Sequence, residues 1–146
     1  MTDDQRRSVR VERTEVGRYR AVNVRGGAIT MGTGGEGDSD FTPVELMLAA
    51  IAGCSAIDVD VVTSRRTEPV EFVVDSSGNK VRDDLGNHVT DLQLTFRLRF
   101  PDDDAGRQAR DIAPRAIRQS HDTLCSVSRT IEIGTPVEVI TDVDVD

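Results

Sequence analysis

The sequence predicts a single α+β domain in which two central helices are set among antiparallel strands. Three observations predict it. Thr42-Pro43-Val44-Glu45 opens a long apolar stretch in the manner of a helix. Leu92, Leu94, Phe96, Leu98 and Phe100 alternate as in a strand, and the stretch from Pro101 to Cys125 returns to helical spacing. A chain of 146 residues has room for one hydrophobic core, and with no Trp, one Tyr and four Phe that core is aliphatic.

Near the start, "SVRVERTEVGRYRAVNVRGG" puts Val9 and Val11, then Tyr19 and Ala21, at alternate positions, which predicts two short antiparallel strands turning near Gly17. Arg25 to Asp40 carries six glycines in sixteen residues and reads as a flexible connection. The first helix is announced by Thr42 as N-cap, Pro43 in the first turn and Glu45 at the third helical position, a capping box. Leu46, Ala50, Gly53, Cys54, Ile57 and Val61 then recur at helical offsets as its predicted face. A helix apolar on most sides is expected to be buried, and the small residues Ala49, Ala52, Gly53 and Ala56 would let a second helix or a symmetry mate approach closely. The apolar run Leu46 to Ile57 covers 12 residues, short of the roughly 20 that cross a bilayer, so a core helix is expected and not a membrane anchor.

Beyond this helix, "VEFVVD", "SSGN" and "KVRDD" predict a hairpin turning at residues 76–79, and "TDLQLTFRLRF" is the clearest strand. The acidic start of "PDDDAGRQARDIAPRAIRQSHDTLC" suits a helix N-terminus. Its predicted face is Ile112, Ala116, Ile117, Ser120 and Leu124, with Pro114 as a kink or fresh start and an end close to Cys125. "RTIEIG" and "VEVITDV" are expected to close the chain as short strands.

With 26 acidic against 18 basic residues the chain has a formal net charge of −8, which repels a phosphate backbone and argues against nucleic acid as a partner. Seventeen of the 18 cations are Arg, so a fixed cation that orients an anion here is expected to be a guanidinium. The polar N-terminus "MTDDQRRSVRVERTEV" has no apolar segment of signal-peptide length, and a cytoplasmic protein is expected. In a reducing cytosol a pair of cysteines is more often transiently oxidised than permanently bridged.

The two cysteines, Cys54 and Cys125, are the groups with reactive potential. An ordinary thiol is about 3% ionised at pH 7, and apolar burial lowers that fraction. Bringing its pKa to about 6.5 takes about 2.7 kcal/mol of preference for the anion, which an Arg at contact distance can provide. Taken alone, a lone cysteine in an Ala-rich helix is more often packing than chemistry. Cys125 stands in the more polar "HDTLCSVSR" beside His121 and Arg129. The 71 residues between the cysteines say nothing about their proximity in space. His88, placed in a polar turn, and His121 lack the paired spacing of a zinc finger, and the acidic "GTGGEGDSD" lacks the Lys of a phosphate-binding loop, so no cofactor or metal is expected.

"TPVELMLAAIAGCSAIDV" followed about 70 residues later by "LCSVSRTIEI" resembles the OsmC/Ohr family of peroxide-detoxifying proteins, and its broad OsmC-like branch in particular. The resemblance runs from about Gly35 to Val139. It implies an intertwined homodimer with two central helices wrapped by strands of both chains. It also implies that Cys54 is the peroxidatic nucleophile, that Cys125 resolves it, and that an external dithiol reduces the resulting disulfide. A catalytic arginine held by a glutamate is implied too. In the better-studied branches that glutamate directly follows the helix-opening proline, where this chain has Val44, with Glu45 one residue later. Glu45 is therefore either the arginine's partner or only the capping residue. Arg18, Arg20 and Arg25 are the candidates for the arginine.

Two functions of different classes are expected to compete. One is a thiol-dependent peroxidase for organic hydroperoxides that uses Cys54, Cys125, Arg18 and Glu45. The other is a binding module for an apolar or thiol-reactive small molecule, favoured by Val44. A purely structural dimer would need two silent thiols.

Overall fold

Three antiparallel strands, β1 (Val9–Glu15), β2 (Arg18–Asn23) and β3 (Ala28–Met31), form a sheet in that order, with Val11 opposite Ala21 and Ala21 opposite Ile29. The β1–β2 turn falls at Gly17, whose φ of 73° is left-handed and suits glycine. The third strand corrects the expectation of a flexible connection over residues 25–40. Gly26, at φ 89°, makes the turn into it, and the Asp38 carboxylate ties down the glycine-rich segment behind it. Asp38 accepts the amides of Thr33 (3.2 Å), Gly34 (3.4 Å) and Asp40 (3.0 Å). These amides hold its pKa below the usual carboxylate range, the Asp40 amide most, against a partial desolvation and with help from the Arg18 charge. Glycine content signalled freedom, but one carboxylate is enough to order the loop.

The computed structural model describes residues 5–146 in two compact units, divided between Ala49 and Ala50. Helix α1 (Pro43–Thr63) bridges that division and begins as its sequence predicts. The Thr42 amide donates to the Glu45 carboxylate at 2.9 Å and the Glu45 amide to the Thr42 hydroxyl at 3.2 Å. At 21 residues and mean hydropathy 1.8 the helix is longer than its apolar run, and by length and composition alone it could cross a membrane. Its buried stripe is Ile51, Ser55, Val59 and Thr63, turned from the predicted one, whose Ala50, Gly53, Ile57 and Val61 are exposed in this chain. A helix apolar nearly all round gives periodicity no contrast with which to choose a face.

In the second unit β4 (Glu71–Asp83) and β5 (Gly86–Arg99) make one long hairpin. The predicted turn at residues 76–79 is corrected to a bulge between Ser77 and Asn79, and the chain reverses at Asp84-Leu85. Gly78 marks the bulge because a Cβ there would stand 2.6 Å from a Val89 methyl, and Gly86 takes φ 95° at the true turn. His88, expected in a turn, therefore lies in β5, 3.5 Å from Asp83. Leu94, Phe96, Leu98 and Phe100 alternate with exposed Gln93, Thr95 and Arg97 as predicted, but Leu92, expected on the same face, is 41% exposed.

Helix α2 (Asp104–Gln119) is capped by Asp103, which accepts the Gly106 amide at 2.7 Å, and it runs through Pro114 without a break. Gly106, Ala109, Ala113 and Ala116 are its buried residues. Only Ala116 and Ser120 of the expected face are buried, and Leu124 is 49% exposed. A π-helical turn (Ser120–Leu124) then widens the backbone, and α3 (Ser126–Ile133) follows. The strand expected at "RTIEIG" is thus a helix. Cys125 caps its start and Gly134, at φ 67°, its end, and these local caps outweigh the strand preference of Thr130, Ile131 and Ile133. The strand expected at "VEVITDV" is also absent: residues 135–146 carry no regular structure, and Val137, Val139, Ile140, Val143 and Val145 are at least 78% exposed.

Candidate active site

The second unit brings Cys54 of α1 and Cys125, at the head of α3, to 3.4 Å from each other. The two thiols are free and their side chains share a hydrogen bond. Three features of the local fold produce the pairing. Cys54 occupies the edge of the α1 stripe next to buried Ser55, so its thiol is half-buried. The π turn closes through the Cys125 amide, which donates to the Ser120 carbonyl at 2.8 Å. Cys125 is then the N-cap of α3, with extended backbone (φ −70°, ψ 100°) and no exposure at all.

The amides at the start of α3 face both sulfurs. Ser128 directs its amide at Cys125 Sγ from 3.5 Å and places its hydroxyl 3.3 Å from the same atom. The amides of Val127 and Ser126 reach Cys54. Burial opposes ionisation of Cys125, but the Ser128 hydroxyl and amide, the Cys54 thiol and the Val127 amide together outweigh it, and its pKa lies below the ordinary thiol value. Cys54 lies above that value. Burial is the main cause, the Val127 amide works against it, and the proton Cys54 directs at the Cys125 sulfur adds to it. Of the two thiols, Cys125 is therefore the easier to ionise and Cys54 the harder.

The other candidates lie in the first unit. The Arg18 guanidinium is engaged by Asp40 at 2.7 Å, with Glu15 at 3.4 Å and Asp38 at 3.6 Å. Arg20 and Arg25 are exposed. Glu45 is the reciprocal member of the capping box, and the Thr42 amide is the main reason its carboxyl lies below the usual range. Sequence reasoning gave no site role to Ser128, which contacts Cys125, or to Ser120, Ser55 and Asp58, which are hydrogen-bonded to one another next to the pair. The signal for the first was the Cys125-Ser126-Val127-Ser128 spacing, an N-cap followed by its partner at the third helical position. Among the described residues no three His, Cys, Asp or Glu side chains gather closely enough to hold a metal ion.

Behind Ser128 the second unit also holds a cleft of about 370 Å3. Ile51, Leu92, Leu94, Phe96, Ile117 and Ile131 give it an apolar wall, and Ser55 and Ser128 bring hydroxyls to it. Neither cysteine lines it, so the cleft is separate from the half-exposed side of Cys54.

A pair of thiols over a helix N-terminus, in an α+β frame of antiparallel sheets and helices, defines a dithiol protein. The family model described as OsmC-like protein matches residues 35–140, and the chain belongs to that family. It is 30% identical to the uncharacterized protein Rv2923c of Mycobacterium tuberculosis over 130 residues, 88% of this chain and 91% of that one. Among solved structures, the OsmC-like protein of Mycoplasma pneumoniae superposes with a TM-score of 0.69 at 13% identity, over 88% of this chain and 89% of that chain. The organic hydroperoxide resistance protein OhrB of Bacillus subtilis superposes with a TM-score of 0.57 at 14% identity, over 86% of this chain and 90% of that chain. The fold is the OsmC-like fold.

Proposed function

We propose that the protein is a thiol-dependent peroxidase that reduces organic hydroperoxides through Cys54 and Cys125 and is recycled by an external dithiol. The observation that carries this proposal is the 3.4 Å separation of the two thiols above the start of α3. Exposure supports these roles: Cys54 is half-buried and Cys125 is fully buried. Cys54 gives up its proton to solvent and its sulfur attacks the terminal oxygen of R–O–O–H. The O–O bond breaks, Cys54 becomes a sulfenic acid, and RO⁻ leaves and is protonated to ROH. The Cys125 sulfur then displaces hydroxide from the sulfenic acid as water, forming the disulfide, and a dithiol reduces that bond by exchange and is itself oxidised. The amides of Ser126 and Val127 stabilise the anionic sulfur that attacks.

A homodimer is part of the proposal. The exposed α1 residues Ile57 (66%) and Val61 (52%) supply an apolar face that a second copy would cover. Arg18 would have to exchange its Asp40 partner for a peroxide to act as the activating cation. The resemblance of fold to OhrB, named for hydroperoxide resistance, supports an alkyl peroxide as the substrate class.

A second proposal is favoured by one observation. The 370 Å3 apolar cleft is of ligand size and does not open onto either sulfur, as a binding module for an apolar small molecule would require. Consumption of cumene hydroperoxide under an excess of dithiothreitol tests the first proposal. Turnover that disappears in Cys54→Ser supports it, and absence of turnover in the unmodified protein leaves the binding module.

A further inference from the structure

Ser120 ties α1, the helix that carries Cys54, to the turn that leads into Cys125. Its hydroxyl donates to the Asp58 carboxylate at 2.8 Å. A serine has one hydroxyl proton, so the 3.0 Å contact between the Ser55 and Ser120 oxygens is a bond donated by Ser55. Its carbonyl, in turn, accepts the Cys125 amide at 2.8 Å, the bond that closes the π turn. Ser120 and Ser55 are both buried, at 0% and 3% exposure, so the loss of either partner would strand a polar group away from water.

The turn itself needs an anchor. A π-helical turn is rare and wider than an α turn, and it survives where surrounding contacts over-determine it. If Ser120–Leu124 relaxed to α geometry, the residues after it would rotate by about 100° per residue of slip, enough to carry a side chain off the face it occupied. Asp58 and Ser55 lie four and one residues beyond Cys54 on α1, so the clamp on Ser120 fixes the turn to the same helix surface that holds the first thiol.

We infer that the Asp58–Ser120–Ser55 chain is a positioning device that sets the distance between Cys54 and Cys125, with Ser120 as its hinge point. This rests on the proposal that the two thiols are a redox pair and assigns them a control that neither sulfur contains. Reactive groups misplaced by about 1 Å can lose about 100-fold in rate, and a pair held less well also forms a weaker disulfide.

The test is the equilibrium of the full chain with a glutathione redox buffer, read by mass after acid trapping, for the unmodified protein, Ser120→Ala, Asp58→Ala and Asp58→Asn. Ser120→Ala and Asp58→Ala are expected to weaken the Cys54–Cys125 disulfide at least about tenfold, which is about 30 mV toward easier reduction. Asp58→Asn keeps an acceptor oxygen and is expected to restore most of that loss, which a general loss of packing would not do. Circular dichroism monitors folding, and should Ser120→Ala not fold, the two Asp58 variants decide the matter. A folded Ser120→Ala or Asp58→Ala with an unchanged equilibrium overturns the inference and leaves the redox pair standing. If the unmodified protein forms no such disulfide in the buffer, the redox pair itself falls and the inference falls with it.

Discussion

The Ser128 amide points at the Cys125 sulfur from 3.5 Å, and the Ser128 hydroxyl lies 3.3 Å from the same atom, so a cysteine occupies the capping position that serine or aspartate usually fills at a helix start. The capping contacts of α3 therefore also favour a thiolate.

The pH dependence follows with a definite sign. Cys125 ionises below its ordinary value in the folded chain, so its ionised form contributes stability that is present above the unfolded thiol value and is lost as pH falls through the folded one. Ser128→Ala removes the hydroxyl contact and is expected to move the Cys125 titration to higher pH. Ultraviolet thiolate absorbance in a Cys54→Ser background checks this, and an unmoved titration would show that Ser128 does not tune the sulfur.

Alkylation separates the two thiols by access and by charge. Cys54 directs its proton at Cys125, so Cys125→Ser is expected to make Cys54 several-fold more reactive toward iodoacetamide at pH 7. In Cys54→Ser the buried Cys125 is expected to stay unlabelled under native conditions, however readily it ionises. Mass spectrometry of timed samples measures both rates. Rapid native labelling of Cys125 would reverse the proposed roles.

Oxidation should stabilise the fold. Bridging positions 54 and 125 closes a loop of about 70 residues, and the chain-entropy relation gives up to about 4 kcal/mol before any native strain is subtracted. Urea unfolding of the oxidised and reduced forms measures the difference. An oxidised form no more stable than the reduced one would mean that closing the 3.4 Å gap costs as much as the cross-link contributes.

Glu45 has two possible duties that a pair of variants can separate. Thr42→Ala removes a capping hydroxyl and is expected to cost about 1 kcal/mol of stability. Glu45→Gln keeps an acceptor for the Thr42 amide, so a residue whose duty is capping should tolerate it with peroxide turnover within twofold of the unmodified protein. A loss of turnover beyond tenfold, with unchanged thermal stability, would give Glu45 a part in holding an arginine.

What could be read from the sequence was what local chemistry decides. Thr42, Pro43 and Glu45 fixed the start of α1 because capping involves four consecutive residues, and β5 was visible because its faces differ in polarity. The bulge at Gly78 was not, since glycine between serine and asparagine reads equally well as a turn, and it is the packing of Val89 and Leu92 across the hairpin that leaves no room for a Cβ. Helix α3 was missed because its β-branched residues mimic a strand and cysteine is not a familiar cap. Both cysteines were legible as candidates by chemistry and by family resemblance. Their approach to 3.4 Å depends on the π turn and on the Ser120 clamp, which link segments more than 60 residues apart and leave no local trace.

The most direct test of the proposed function is a thiol count on the reduced protein before and after one equivalent of cumene hydroperoxide, repeated on Cys54→Ser and Cys125→Ser. A peroxidatic Cys54 resolved by Cys125 predicts loss of both thiols as an intramolecular disulfide, with a sulfenic acid trapped at Cys54 when Cys125 is absent. Two thiols that survive an hour of exposure would contradict it.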